Sequence, residues 1–215
     1  MMGRMADILD APLAAYLDGL VPERPAELRG MEDYARQHDF PIVGPACAHI
    51  GYQIARMIGA RRIFELGSGY GYSTAFFARA VKENGGGEVH HVVWDEDLSK
   101  KARGHLAALG LDGVVTYHVG EAIATLKEAS GPFDLIFDDI NKKDYPASLP
   151  EIERKLRPGG VLIVDNMLWS RRVMDSADHT PDTEGVREMT RLLLDRKWIT
   201  SLVPIRDGFL IALKS

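Results

Sequence analysis

The stretch RRIFELGSGYGYST, residues 61–74, runs from a short apolar segment through three closely spaced glycines into an amphipathic segment. The apolar segment predicts a buried strand, and the apolar spacing in STAFFARAVKE, residues 73–83, predicts a helix. Gly67, Gly69 and Gly71 allow a tight turn between them, because glycine adopts positive φ without steric cost. We therefore predict a strand, a glycine turn and a helix whose free N–H groups face a ligand.

The same alternation continues along the chain. Strand patterns recur in EVHHVVW (88–94), GVVTYHV (113–119), FDLIFD (133–138) and GGVLIVD (159–165). Helical patterns lie between them in DLSKKARGHLAAL (97–109), EAIATLKEA (121–129) and YPASLPEIERKL (145–156). Alternation of this kind predicts an α/β fold, in which helices cover both faces of a parallel sheet.

The two ends of the chain depart from this alternation. Before the first strand, the periodicity predicts three helices, at residues 3–18, 25–38 and 45–58. After a predicted helix at 183–195, the strand patterns WITSLVPI and GFLIALK are separated only by Arg206 and Asp207. So short a connection joins antiparallel strands, and such a hairpin is not expected of a nicotinamide dehydrogenase.

The composition limits the class of protein. The chain has 215 residues and a mass of 23.8 kDa, which predicts one domain. A net charge of −5 argues against a general nucleic-acid-binding surface. The single cysteine, Cys47, excludes an internal disulfide and a thiolate metal cluster, and indicates a reducing compartment. The N-terminal segment lacks a signal-peptide core and no run approaches the roughly 20 apolar residues of a membrane span, so we expect a cytoplasmic protein.

The glycine turn and two acidic residues indicate the ligand. The spacing is G-x-G-x-G, whereas a dinucleotide pyrophosphate normally lies on G-x-G-x-x-G. Glu65 precedes the turn, where an acid suits a ligand with an ammonium group, and Asp95 ends the next strand, where a carboxylate can bind ribose hydroxyls. Together they predict S-adenosylmethionine. The alternative is a glycine turn without a ligand, with Asp95 as a helix N-cap.

Carboxylates follow two later strands. Asp139 lies in FDDINKKDY, residues 137–145, and Asp165 and Asn166 end the strand after it. Ligands in such folds gather at the carboxyl ends of strands, so these oxygens could meet. Two carboxylates and an amide carbonyl suit magnesium, or calcium or manganese, better than zinc. The alternative is that Asp139 caps the following helix and that Asp165 and Asn166 form a turn.

From about Pro41 to Lys214 the chain resembles the cation-dependent O-methyltransferases, the family that includes catechol and caffeoyl-CoA O-methyltransferases and small bacterial relatives. The resemblance implies a Rossmann-like fold with a seven-stranded, mostly parallel sheet and an antiparallel last strand. It places N-terminal helices, residues 1–58, around the acceptor site and the methyltransferase core at 59–215. It also implies a homodimer.

The resemblance assigns roles to individual residues. PIVGP, residues 41–45, is similar to the segment whose backbone near Val43 closes over the methionine carboxylate, and ELGSGYGYST is similar to the cofactor loop. VGEA is similar to the adenine-contacting turn. The cofactor-binding residues implied are Val43, Glu65, Gly67, Gly69, Ser73, Asp95, Glu121, Ala122 and Asp139.

FDDINKKDYPASL resembles the family motif I-D-A-D-K-x-N-Y, and GGVLIVDNMLW resembles its second metal segment. The implied metal ligands are Asp139, Asp165 and Asn166, and the implied catalytic residue is Lys142, at the acceptor hydroxyl. The alternative for Lys142 is a solvated surface lysine. The sequence departs from the pattern at Asp138, Asn141 and Arg171, and these departures change the charge around the site.

The leading interpretation is therefore a metal-dependent O-methyltransferase acting on a catechol-like small molecule. An alternative within the resemblance methylates a hydroxyuridine of transfer RNA, for which Arg171 and Arg172 would be the basic footprint. A nicotinamide-dependent dehydrogenase and a non-catalytic binding module are further alternatives. Trp169 and Tyr145 either line the acceptor pocket or pack in the core. Side chains expected to be structural are His90, His91 and Cys47.

Overall fold

The computed structural model describes residues 9–195 and 198–215. Its seven-stranded sheet has the order β3-β2-β1-β4-β5-β7-β6. The strands are β1 (Arg62–Leu66), β2 (Glu88–Val93), β3 (Val115–Val119), β4 (Phe133–Asp138), β5 (Leu156–Val164), β6 (Trp198–Val203) and β7 (Phe209–Lys214). β7 pairs antiparallel with both β5 and β6, while β1 to β5 pair in parallel. The predicted fold class and the antiparallel last strand are confirmed.

Helices lie between the strands and before the first one. They are α1 (Ala11–Gly19), α2 (Ala26–His38), α3 (Pro45–Met57), α4 (Tyr72–Glu83), α5 (Glu96–Ala108), α6 (Ala122–Glu128), α7 (Tyr145–Lys155) and α8 (Pro181–Leu194). Among the residues that the structure describes, none of these helices has the length and apolar character needed to cross a bilayer.

The sheet separates two hydrophobic layers, and β4 shows why. Leu135 and Phe137 pack with residues of α3 and α4 on one face, while Ile136, between them, packs with residues of α6, α7 and α8 on the other. Alternate residues of a strand point to opposite faces, so a strand buried on both sides becomes a nearly continuous apolar run. Cys47 is fully buried in the first layer, as predicted.

Several element boundaries differ from the sequence prediction, and two of them have a clear physical cause. The helix predicted at 3–18 begins at Ala11, where Asp10 Oδ1 accepts a hydrogen bond of 2.9 Å from the Leu13 N–H; residues 3–8 of that prediction lie outside the described residues. The strand predicted to reach residue 205 ends at Val203, because Pro204 has no N–H to continue the ladder. The connection to β7 is therefore residues 204–208, longer than the two-residue turn predicted.

Candidate active site

The carboxyl ends of β1, β4 and β5 lie side by side. Leu66 is opposite Asp138, and Asp138 is opposite Val164. Hydrogen bonds continue this alignment past the strands: the Asp139 N–H donates to Leu66 O at 2.9 Å, and the Asp165 N–H donates to Asp138 O at 3.2 Å. Asp139 and Asp165 are therefore neighbours at one edge of the sheet, as the sequence predicted from parallel strands.

Lys142 is directed into this edge. Its Nζ donates to Asp139 Oδ1 at 2.7 Å and to Ile140 O at 3.1 Å, and the residue is only 8% exposed. Its ammonium also lies 5.1 Å from the centroid of the Tyr145 ring. The neighbouring Lys143 is exposed. The structure thus shows that Lys142 is buried at the sheet edge and Lys143 is exposed, whereas the sequence distinguishes them only by their positions in the motif.

Asp165 and Asn166 occupy an unfavourable environment. Burial raises the pKa of the Asp165 carboxyl, and the nearby Asp139 carboxylate raises it further, while Lys142 opposes the shift. Asn166 has a φ of 57°, in the left-handed region that residues other than glycine rarely adopt. Within the described ranges 9–195 and 198–215, no group of three or more histidine, cysteine, aspartate or glutamate side chains could hold a metal ion. The carboxylates of Asp139 and Asp165 alone therefore do not form a metal site, and the role predicted for Asn166 as a third ligand stays a prediction.

Asp138, one of the departures from the family pattern, does not face this edge. Its side chain is fully buried and accepts a 2.5 Å hydrogen bond from the Ser148 hydroxyl of α7. Burial raises its pKa to about 7, against the opposing effects of that hydroxyl and of Lys142. The hydrogen bond to α7 accounts for a carboxyl group at a position where an apolar residue was expected.

The glycine turn packs tightly on the same edge. Gly67, Gly69 and Gly71 have φ values of 86°, 52° and 92°. A Cβ on Gly67 would lie 2.4 Å from the carbonyl oxygen of Asp139, closer than atoms can approach. Ser68 ties the turn to β2, because its Oγ accepts a 2.9 Å hydrogen bond from the Val92 N–H. Glycine at position 67 is thus required both by backbone conformation and by space.

Glu65 lies beneath the turn and is fully buried. Neither of its carboxylate oxygens has a hydrogen-bond partner in bonding geometry among the described residues. Burial raises its pKa to about 7, and the neighbouring hydroxyls of Ser73 and Thr74 offset only part of that shift. A buried acid without a partner at this place is consistent with the predicted role of binding a cationic group, and that role stays a prediction.

The raised pKa of Glu65 makes stability depend on pH. Between its ordinary value of 4.5 and its folded value of about 7, the folded protein holds a proton that the unfolded chain has released, so stability falls as pH rises through this window. From pH 5 to pH 8 in urea, without ligands, the free energy of unfolding of the wild type should fall about 1–3 kcal/mol more than that of Glu65→Gln. Glu128→Gln, which removes an exposed carboxylate, is the control. Equal slopes for wild type and Glu65→Gln would contradict this expectation.

The remaining predicted cofactor residues surround the turn. Asp95 follows β2 and Glu121 follows β3, and the Gly120 N–H donates to Val93 O at 3.1 Å, which holds these two strand ends together. Both acids also cap helices: Asp95 accepts from the Leu98 N–H at 2.8 Å, and Glu121 accepts from the N–H groups of Ile123 and Ala124. Both residues therefore cap their helices, and ligand binding stays a prediction for both. Ala122 begins α6, Val43 is buried just before α3, and Ser73 is buried in the first turn of α4.

The aromatic and basic residues named as further candidates differ in burial and in their contacts. Tyr145 is fully buried, and its hydroxyl donates to the Asp165 carbonyl at 2.8 Å, so it packs in the core and fixes the backbone of Asp165. Trp169 is half-buried beside the Arg172 guanidinium, which also pairs with Asp178, while Arg171 is exposed.

Both histidines of β2 are buried and have partners. His91 Nδ1 lies 3.0 Å from the Thr74 hydroxyl, and His90 Nδ1 lies 3.0 Å from His118 Nε2. Their surroundings agree with the predicted structural role.

Sequence reasoning treated Arg206 only as part of a hairpin turn. The structure places its turn beside the segment that follows Asn166, because Asp207 O and Gly208 O accept hydrogen bonds from the N–H groups of Leu168 and Met167. Arg206 itself has a φ of 48°, and its guanidinium lies against Gly44. The available signal was a long cationic side chain in a turn that follows a strand of the same sheet. That signal does not indicate which way the side chain points, so the sequence did not predict a role for Arg206.

Comparisons with known proteins agree with this architecture. The chain matches the O-methyltransferase family over residues 27–215. Over 144 residues it is 32% identical to a catechol O-methyltransferase of Niastella koreensis, a match that covers 65% of this chain and 64% of that relative. The chain thus spans less than two thirds of the length of that relative.

Solved structures resemble the whole fold. TomG of Streptomyces achromogenes, an O-methyltransferase involved in tomaymycin synthesis and solved with S-adenosylmethionine, gives a TM-score of 0.85 at 28% identity, covering 95% of this chain and 96% of TomG. An O-methyltransferase of Bacillus cereus, solved with S-adenosylhomocysteine, gives a TM-score of 0.86 at 25% identity, covering 95% of this chain and 97% of its own. With the family match over most of its length, this chain belongs to the O-methyltransferase family.

Proposed function

We propose that this enzyme transfers a methyl group from S-adenosylmethionine to one hydroxyl of a catechol-like small molecule, with a divalent cation bound beside the acceptor. The observation that carries the proposal is the meeting of Asp139, Lys142 and Asp165 at one sheet edge, with Nζ of Lys142 2.7 Å from Asp139 Oδ1. The bound cofactor and product in the two solved relatives, TomG and the Bacillus cereus enzyme, support the methyl donor.

The residues present fit a hard divalent cation. Burial raises the pKa of the Asp165 carboxyl, and the nearby Asp139 carboxylate raises it further. These two carboxylates, together with the amide of Asn166, the residue that follows Asp165, are the oxygen donors that Mg²⁺ accepts. Such an ion would supply positive charge that lowers the pKa of a bound hydroxyl.

Lys142 is the residue of this chain that takes part in proton transfer from the acceptor hydroxyl. Its Nζ is held by Asp139 Oδ1 and Ile140 O, so the ammonium stays at the sheet edge and does not extend into solvent. In its neutral form Nζ accepts the proton of the acceptor hydroxyl, and in its charged form it stabilises the oxyanion that results.

The test is transfer of a labelled methyl group from S-adenosylmethionine to catechol, with Mg²⁺ and then with excess chelator. We expect transfer with Mg²⁺, loss of at least about 100-fold with chelator, and recovery when Mg²⁺ is returned in excess. Equal rates with and without chelator would contradict the role of the cation. S-adenosylmethionine binding, measured by calorimetry without an acceptor, provides a separate check on the cofactor, and absence of binding would contradict the whole proposal.

A further inference from the structure

The connection between β6 and β7, residues 204–208, is hydrogen-bonded to the two residues that follow Asn166. The Met167 N–H donates to Gly208 O at 3.0 Å, and the Leu168 N–H donates to Asp207 O at 2.8 Å. Asp207 is buried and its carboxylate also accepts from the Ser170 N–H. The backbone of this connection is therefore held beside Asn166, which immediately precedes Met167.

Arg206 adopts a costly backbone conformation there. Its φ of 48° lies in the left-handed region, where a residue with a side chain loses about 1 kcal/mol or more relative to glycine. The same connection holds Gly208, with a φ of 90°. Strain of this kind at a turn beside a candidate site is a reason to look for a role of the side chain.

The side chain of Arg206 extends to the segment before α3. A Cβ built on Gly44 would lie 1.8 Å from Arg206 Nη1 and 2.9 Å from Cζ, so the guanidinium occupies the space that any other residue at position 44 would fill. Gly44 itself has a φ of 76°. Gly44 thus permits both the turn into α3 and the approach of the guanidinium.

The guanidinium has unsatisfied binding capacity. Within the described residues its N–H groups make no hydrogen bond or ion pair that would occupy them, although the residue is half-buried. The turn that carries Arg206 is hydrogen-bonded to Met167 and Leu168, directly after Asn166, and the guanidinium lies against Gly44 just before α3. A half-buried guanidinium without an anion costs solvation free energy that a bound carboxylate would recover.

We propose that Arg206 binds a carboxylate on the acceptor, so that the preferred substrates are dihydroxylated aromatic acids and not neutral catechols. This inference rests on the function proposed above and narrows its substrate class. Guanidinium and carboxylate form paired, parallel hydrogen bonds, which orient a planar acid as well as attract it.

The other possible carboxylate is that of the cofactor methionine. The acceptor is favoured because Arg206 is fixed to the segment that follows Asn166, on the side of the candidate metal ligands. The resemblance, in contrast, assigns the methionine carboxylate to the Val43 backbone and to Ser73. The two sources are distinguished by titrating cofactor and acceptor separately.

The experiment measures binding by calorimetry to the protein with S-adenosylhomocysteine and Mg²⁺ present. The ligands are catechol, 2,3-dihydroxybenzoate and 3,4-dihydroxybenzoate, and the proteins are wild type, Arg206→Gln, Arg206→Gly and the control Arg171→Gln. We expect at least one acid to bind the wild type about 10-fold or more tightly than catechol, and Arg206→Gln to abolish that advantage with less than about a 3-fold change for catechol. Arg206→Gly tolerates the positive φ, so the same loss in this variant shows that misfolding is not the cause.

Two results would overturn the inference. One is that neither acid binds the wild type more tightly than catechol, or that the advantage survives in both Arg206 variants. The other is that S-adenosylhomocysteine, titrated alone, binds Arg206→Gln about 10-fold more weakly while the acids keep their advantage, which assigns Arg206 to the cofactor. These titrations measure binding and do not require methyl transfer. If no compound is methylated, the proposed function is contradicted, while the binding results still decide whether Arg206 binds a carboxylate.

Discussion

Replacing Asp139 with asparagine is expected to lower kcat/KM for methyl transfer by on the order of 10³-fold, or about 4 kcal/mol of transition-state stabilisation. The change removes one of the two carboxylates at the sheet edge and also the partner that holds Lys142 Nζ at 2.7 Å. Two functions proposed for the site are thereby lost together. Two effects on stability act in opposite directions, because the change removes the ion pair of the buried Lys142 and also the repulsion between Asp139 and Asp165.

The measurement compares initial rates with labelled S-adenosylmethionine over a range of Mg²⁺ concentrations, together with urea denaturation of the same proteins. Asp144→Asn is the matched control, since it removes the same charge from the loop that follows β4 without altering the strand end. A rate for Asp139→Asn within about 10-fold of the control would show that Asp139 is not part of the catalytic machinery.

The second large effect is expected at Lys142. Lys142→Gln should reduce kcat by about 10²- to 10⁴-fold with a small change in KM, because a positioned proton acceptor acts in the transition state and not in acceptor binding. Lys143→Gln removes an adjacent but exposed charge and is expected to behave as the wild type.

Lys142→Arg distinguishes the two roles of Lys142. Arginine keeps the positive charge but does not release a proton at accessible pH, so a rate as low as that of Lys142→Gln indicates proton transfer. Recovery of most of the wild-type rate in Lys142→Arg would indicate electrostatic stabilisation alone. Equal rates for wild type and Lys142→Gln would remove Lys142 from the mechanism.

Much of the fold could be predicted because local periodicity carries it. β4 reads as a continuous apolar run since its alternate residues enter two different hydrophobic layers, and the helices on both sides keep their amphipathic spacing. The errors fall at boundaries. Asp10 decides where α1 begins, because its side chain accepts a hydrogen bond from the Leu13 N–H. Pro204 decides where β6 ends, because it has no N–H to donate to the neighbouring strand. Hydrophobic periodicity records neither effect.

The sequence by itself determined the order of strands and helices, and it placed Asp139, Asp165 and Asn166 at the ends of parallel strands, because parallel strands end at a common edge. Only the tertiary structure decided that Lys142 turns inward while Lys143 does not, and that Asp138 is buried against Ser148. Only it brought Arg206, from the last hairpin, against Gly44 near the start of the chain. Such contacts depend on side-chain direction and on packing between distant segments, and no local pattern in the chain encodes either of them.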